Sequence, residues 1–266
     1  MEYFGEDEPA PRISTARITS YIDSRRDAGV ANATIRNELM ALSKMFRLAV
    51  EQELIPKKPK IPRIRVDSAR RGFFEEGDFR AVVENLPDYL KPAIGFCYFT
   101  GWRIQSEVLL LRWTQVDFSV KTVRLEPGTT KNGRARVFPF GAYPQLGELL
   151  TAQRQRARFL ETDWVFFHTD GRAIKSYRRA WAKACVRADR PGKLVHDLRR
   201  TAVRNLVRAG VPDKVAMTLT GHETRAVFDR YNIVNEADLS SAVAKLSAVH
   251  AQDSHTFDTH SGATGI

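Results

Sequence analysis

TVRLEPGTTKNGRARVFPF, residues 122–140, decides the fold class. Two β-rich runs, 122–130 and 134–140, flank Lys131, Asn132 and Gly133, and Asn-Gly between apolar runs is a strong hairpin signal. It is the one clear β interruption in a chain whose apolar spacing is otherwise mostly helical. The expected fold is therefore mainly α (α+β), with a small antiparallel sheet. Lys131 stands at the hairpin tip, where a rigid turn can carry an ammonium into a groove. Tips are also lysine for solubility alone.

Before the hairpin, FEEGDFRAVVENL (74–86) and DYLKPAIGFCYF (88–99) read as helices broken at Pro87, the second ending at Thr100-Gly101. QSEVLLLRW (105–113) reads as a short buried helix. After the hairpin, helical spacing runs through 143–160, 176–188, 196–210, 212–221, 225–232 and 237–249, and WVFF (164–167) reads as a short extra strand. The tail, 251–266, has no periodicity and is expected to be disordered. The first 55 residues hold two helical patterns. One stops at Gly29; the other follows Asn32, with Ile35, Leu39, Leu42, Phe46 and Ala49 at steps of four and three. Pro56, Pro59 and Pro62 then force an extended chain. The expected division is a short helical module (1–55), a basic linker (56–71), a large domain (72–250) and the tail.

The 266-residue chain is 43% hydrophobic and 27% charged, as in ordinary globular proteins. No run approaches the length of a membrane span, and the acidic start MEYFGEDE is no secretory signal. Cys97 and Cys185 lack metal-ligand spacing and read as free thiols in a reducing compartment. Charge says more. The net is +11 and the pI about 9.9, and between Gly171 and Gly210 twelve Lys or Arg face two Asp. Seven more cations lie in PKKPKIPRIRVDSARR (56–71). Such clusters point to an anionic partner, nucleic acid above all.

Four places carry residues suited to phosphate chemistry. In TGWRIQSEVLLLRW (100–113), Arg103 follows a helix-ending Thr-Gly and can project from a turn toward a phosphate; a surface arginine is the plain alternative. Lys131 is the second. In LVHDLRRTAV (194–203), His196 and Arg199 share a helix face at i, i+3. An acid or base beside a guanidinium suits such chemistry, and a capping histidine with a surface arginine is the alternative. In GHETRAVFDRYN (221–232), His222 follows a glycine, and Tyr231 comes nine residues later beside polar Asp229 and Arg230. On its own that tyrosine also reads as core.

In combination and order, the TGWR turn, the hairpin lysine, HDLRRT and GH followed by Tyr resemble the active-site pattern of the tyrosine recombinase (phage integrase) family, over residues 72–250 and the helical module before them. The resemblance implies a site-specific recombinase or integrase that cleaves and rejoins DNA through a 3′-phosphotyrosyl intermediate, without metal, ATP or other cofactor. It implies Tyr231 as nucleophile, Arg103 and Arg199 on the nonbridging oxygens, and Lys131 as general acid. His196 would act as acid or base near the tyrosine, and His222 would hydrogen-bond the phosphate. Lys57, Lys58, Arg63, Arg65, Lys175, Arg178, Arg179 and Arg200 are the expected DNA-binding cations. The implied partner is double-stranded DNA, bound as a homotetramer docked through the C-terminal helix, with Leu239, Val243 and Leu246 on its apolar face. The protein would be a monomer in free solution, cytoplasmic and nucleoid-associated in a bacterium, and an accessory DNA-bending protein fits the same picture. A type IB topoisomerase-like nicking-closing enzyme and a non-catalytic DNA-binding relative are the alternatives. Two departures stand out. The acid after Arg103 is Glu107, with Ser106 where most relatives carry it, and the N-terminal module is short.

Overall fold

The structure, a computed structural model, describes residues 3–5, 7–66, 72–129, 133–231 and 236–257. The chain divides into two compact units, Met1–Arg70 and Arg71–Ile266. In the first, α1 (Thr15–Asp27) starts at Ser14, whose hydroxyl oxygen accepts the Arg17 N–H, and packs on α2 (Asn32–Glu51). Ile18 and Ile22 of α1 meet Ile35 and Leu39 of α2, each pair one turn apart on one face. Two segments outside the two expected helices complete this core. Phe4, from the acidic start, is buried in it, and Ile61 and Ile64 of the basic stretch pack against it. Residues 57–66 form neither helix nor strand, as suits their prolines. They are not a free linker, because the isoleucines between the cations anchor them to the module.

In the second unit, α3 (Glu76–Glu84) and α4 (Lys91–Thr100) precede a three-stranded antiparallel sheet of β1 (Val116–Asp117), β2 (Thr122–Leu125) and β3 (Arg136–Pro139). Val123 pairs with Phe138 and Leu125 with Arg136, so Arg136 shares the inward face of β3 with Phe138. The expected strand limits were wider, and Lys131 and Asn132 lie outside the described residues. α5 (Pro144–Phe159), α6 (Arg178–Arg187), α7 (Val195–Arg208), α8 (Asp213–Thr220), α9 (Arg225–Phe228) and α10 (Glu236–Phe257) follow. α4 packs on α5 and α7, and Phe96, Trp102, Phe138 and Phe166 fill the space between the sheet and these helices.

Four expectations are corrected. QSEVLLLRW is a turn at 104–107 and a 3₁₀ turn at Val108–Leu110. The Arg103 carbonyl takes both the Glu107 and Val108 N–H groups, drawing the Glu107 side chain inward and ending helical continuation. WVFF is no strand; Trp164 bridges Arg112 and Phe167 bridges Ala173 in isolation, with Val165 and Phe166 fully buried between them. The helix over RAVFDRYN is only α9, four residues capped by the Thr224 hydroxyl. α10 runs through Phe257, seven residues into the expected disordered tail. The remainder, 258–266, lies outside the described residues.

Candidate active site

Glu107 organises one side of the site. Its carboxylate is buried and accepts four hydrogen bonds: the Arg103 backbone N–H (2.7 Å), Arg103 Nη1 (2.7 Å), and Arg136 Nη1 and Nη2 (3.1 and 3.4 Å). Burial works to raise its pKa, yet the facing Arg136 and Arg103 bring it below the ordinary carboxylate value. Glu107 thus braces the arginine turn from four positions further along the chain. Arg136, unremarked in the sequence reading, is almost as buried and stands 5.5 Å from the Trp102 ring. The signal was present: alternation along β3 turns it inward with Phe138, and a buried arginine demands a carboxylate.

Arg199 rises from α7 between two glycines. Its Nη1 donates to the carbonyls of Gly101 (2.6 Å) and Thr220 (2.5 Å), and Nη2 donates to Gly221 (3.3 Å). Three of five N–H donors thus fix the guanidinium, leaving Nε and one N–H for an anion. Burial and the nearby Arg103 pull its pKa below the usual arginine range. Both glycines have left-handed backbone, φ 68° at Gly101 and 72° at Gly221, and each ends a helix. A Cβ on Gly221 would lie 1.8 Å from Arg136 Nη2, so the Gly-His pair is also the seat of the buried arginine.

His222, buried beside that seat, has Nδ1 2.7 Å from Thr220 Oγ1 and, among the described residues, no hydrogen-bond partner at Nε2. Burial, then Arg199, Arg103 and Arg136, push its pKa down to about 3, so it is neutral at physiological pH. His196, at the start of α7, has Nε2 2.8 Å from the Tyr231 hydroxyl. Partial burial of its ring and the neighbouring Arg199 and Arg200 lower its pKa as well. Tyr231 packs its ring with Val203, Ala216 and Phe228, 5.9 Å from the Arg199 guanidinium and 4.7 Å from the His222 ring. It is a core aromatic by its ring and a site residue by its hydroxyl. A cleft of about 200 Å³ lined by Arg103, Tyr177, His196 and Arg199 opens beside this cluster.

The profile described as the phage integrase family matches residues 74–238. The chain belongs to the phage integrase family. It is 24% identical over 258 residues to a tyrosine recombinase XerC-like protein of Caldanaerobacter subterraneus subsp. tengcongensis, covering 81% of this chain and 66% of that protein. It is 27% identical to the integrase of Salmonella phage P22, covering 76% of this chain and 54% of that one. The chain therefore spans between half and two thirds of the length of these relatives. Among solved structures, a lambda integrase dimer bound to a COC′ core site superposes with TM-score 0.70 at 19% identity, covering 87% of this chain and 84% of that one. The Tn1549 transposon integrase in complex with circular intermediate DNA gives 0.71 at 15%, covering 88% and 86%. These two establish a shared fold.

Of the six catalytic candidates in this phage integrase family member, the fold brings Arg103, His196, Arg199, His222 and Tyr231 together, and Lys131 lies outside the described residues. Among the expected DNA-binding cations, Lys57, Lys58, Arg63 and Arg65 are exposed in the first unit and Lys175, Arg178 and Arg179 in the second. Arg200 differs from them. Its guanidinium pairs with Asp197 (3.1 Å) and lies 5.6 Å from the Tyr231 ring, so it belongs to the wall of the site. Among the described residues, no three His, Cys, Asp or Glu gather as a metal site, and no helix is long and apolar enough to cross a membrane.

Proposed function

We propose that this chain is a site-specific DNA recombinase that cleaves and rejoins strands through a covalent phosphotyrosine. Tyr231 Oη attacks a scissile phosphorus, the P–O5′ bond breaks, and a 3′-phosphotyrosyl linkage and a free 5′-hydroxyl result. The phenolic proton passes to His196 Nε2, 2.8 Å away. Arg103 and Arg199 hold the nonbridging oxygens where negative charge accumulates, His222 bonds one of them, and Lys131 gives the 5′-oxygen its proton. Attack by another strand's 5′-hydroxyl reverses the chemistry on a new partner, so the bond energy is conserved.

The observation that carries this reading is the Tyr231 hydroxyl held 2.8 Å from His196 Nε2, its ring about 6 Å from a buried arginine. Its likeness to recombinases and integrases, two of the latter solved on DNA, supports it. The exposed cations on both units suit a duplex partner. A tetramer on DNA, formed from free monomers, is supported by α10, whose Leu239, Val243 and Leu246 are exposed. Action at the bacterial nucleoid, with an accessory DNA-bending protein, completes the proposal.

The test uses nicked suicide duplexes drawn from the DNA flanking the coding sequence. The expected result is a denaturation-resistant protein–DNA adduct with wild type and none with Tyr231→Phe. An adduct that survives Tyr231→Phe removes the assigned nucleophile, and failure of wild type on every flanking duplex removes the reading.

A further inference from the structure

Thr220 has one hydroxyl proton and two lone pairs to share between two neighbours. Its Oγ1 lies 2.7 Å from the Ala216 carbonyl oxygen and 2.7 Å from His222 Nδ1. A carbonyl only accepts, so with both contacts made the hydroxyl proton points to Ala216, and Nδ1–H donates to Oγ1. That count fixes the imidazole: its proton is on Nδ1, and Nε2, buried and without a partner among the described residues, is a bare lone pair. A phosphate oxygen also only accepts. In this arrangement His222 carries its proton on the wrong nitrogen for the role proposed above.

Two routes put a proton on Nε2. Charging the ring works against its burial and against Arg199 and His196 from α7, Arg103 from the turn after α4, and Arg136 from β3, which together hold the pKa at about 3. The Tyr231 ring faces it with no charge, and Glu223, the next residue, is turned to Arg134 (3.7 Å). The second route keeps the ring neutral. The Thr220 hydroxyl rotates to donate to Nδ1, Nδ1 gives its proton to solvent, and Nε2 takes one up. Only one neutral hydrogen bond, to the Ala216 carbonyl, is given up, and no charge is buried. The second route is the cheaper.

We propose that Thr220 is a two-position hydroxyl switch that sets the tautomer of His222: Nδ1–H in the arrangement described, Nε2–H when a phosphate-like anion enters. Thr220 acts through His222 and is a positioning residue. The inference rests on the reading that this site takes a phosphodiester, and it deepens that reading by making His222 a donor only on demand. Substrate engagement then changes hydrogen-bond polarity without changing the charge of the ring.

The test is two-bond ¹H–¹⁵N spectroscopy of the full chain labelled at histidine nitrogens, at neutral pH, titrated with sodium sulfate, an anion that does not itself titrate there. Wild type shows His222 protonated at Nδ1 and bare at Nε2, and sulfate exchanges the two. Thr220→Val, near in shape and without a hydroxyl, shows Nε2–H before sulfate and no further change. Thr220→Ser behaves as wild type, which separates the switch from a packing effect. Nε2–H in wild type without sulfate, both nitrogens protonated with sulfate, or no response to sulfate each overturns the proposal. The adduct assay reads the recombinase assignment independently, so a tautomer exchange with no adduct retires that assignment and leaves the switch standing.

Discussion

Glu107 takes four hydrogen bonds on one fully buried carboxylate, whereas Tyr231 reaches the same site half-buried, from a turn after a four-residue helix. The guanidinium side is built from elements deep in the fold: the end of α4, the inward face of β3 and the middle of α7. The tyrosine side rests on Phe228, a short cap and one hydroxyl contact. Groups that stabilise developing charge gain from being fixed before the reaction. A nucleophile that must attack, stay attached and leave again gains from a segment of low local stability. The division of rigidity matches the division of chemical work that we propose.

Four experiments strain this contrast, the largest effect first. Glu107→Ala leaves Arg103 and Arg136 without their counter-charge and is expected to cost about 3–5 kcal/mol in denaturant unfolding. A loss under about 1 kcal/mol would mean that the cluster is solvated and not the rigid half. Gly221→Ala combines a left-handed backbone with a Cβ driven into Arg136; a loss of about 2–3 kcal/mol is expected, read the same way.

His222 gives the third, through pH. Its folded pKa of about 3 lies below the ordinary 6.5, so between those values the unfolded chain binds the extra proton. Stability from this group is full above the ordinary value and falls as pH drops toward about 3, by up to about 1.4 kcal/mol per pH unit. His222→Gln should flatten the stability–pH curve in that window; an unchanged slope would place the imidazole in contact with water. The smallest effect belongs to the proposed nucleophile. Tyr231→Phe keeps the packed ring and loses one contact, so stability should change by about 1 kcal/mol or less while adduct formation disappears. A large loss would show that the tyrosine half is as rigid as the other.

Much of this was legible before any coordinates. Ile35, Leu39 and Phe46, picked by spacing, are buried on α2, and the runs before and after the Asn-Gly do hold two paired strands. The arginine turn, His-x-x-Arg and the Gly-His pair were legible because each is local. What escaped depends on partners distant in sequence. Glu107 fixes a turn where apolar spacing promised a helix, and no local rule announces that its counter-charge arrives from β3. The isoleucines at 61 and 64 were hidden by the prolines and cations around them, which dominate any reading by composition. Arg200 looked like one more surface cation because its neighbour Asp197 is buried, a fact that only the packing of α7 decides.

Arg136 and Gly221 are eighty-five positions apart in sequence and occupy adjoining space, and that has a hereditary consequence. The two positions form a single character under selection. A side chain can enter at 221 only in a lineage that has first surrendered the arginine at 136, and with it half the counter-charge on the acid at 107. Relatives should therefore change these three positions together or not at all, and an ancestor reconstructed with one altered alone should fold poorly.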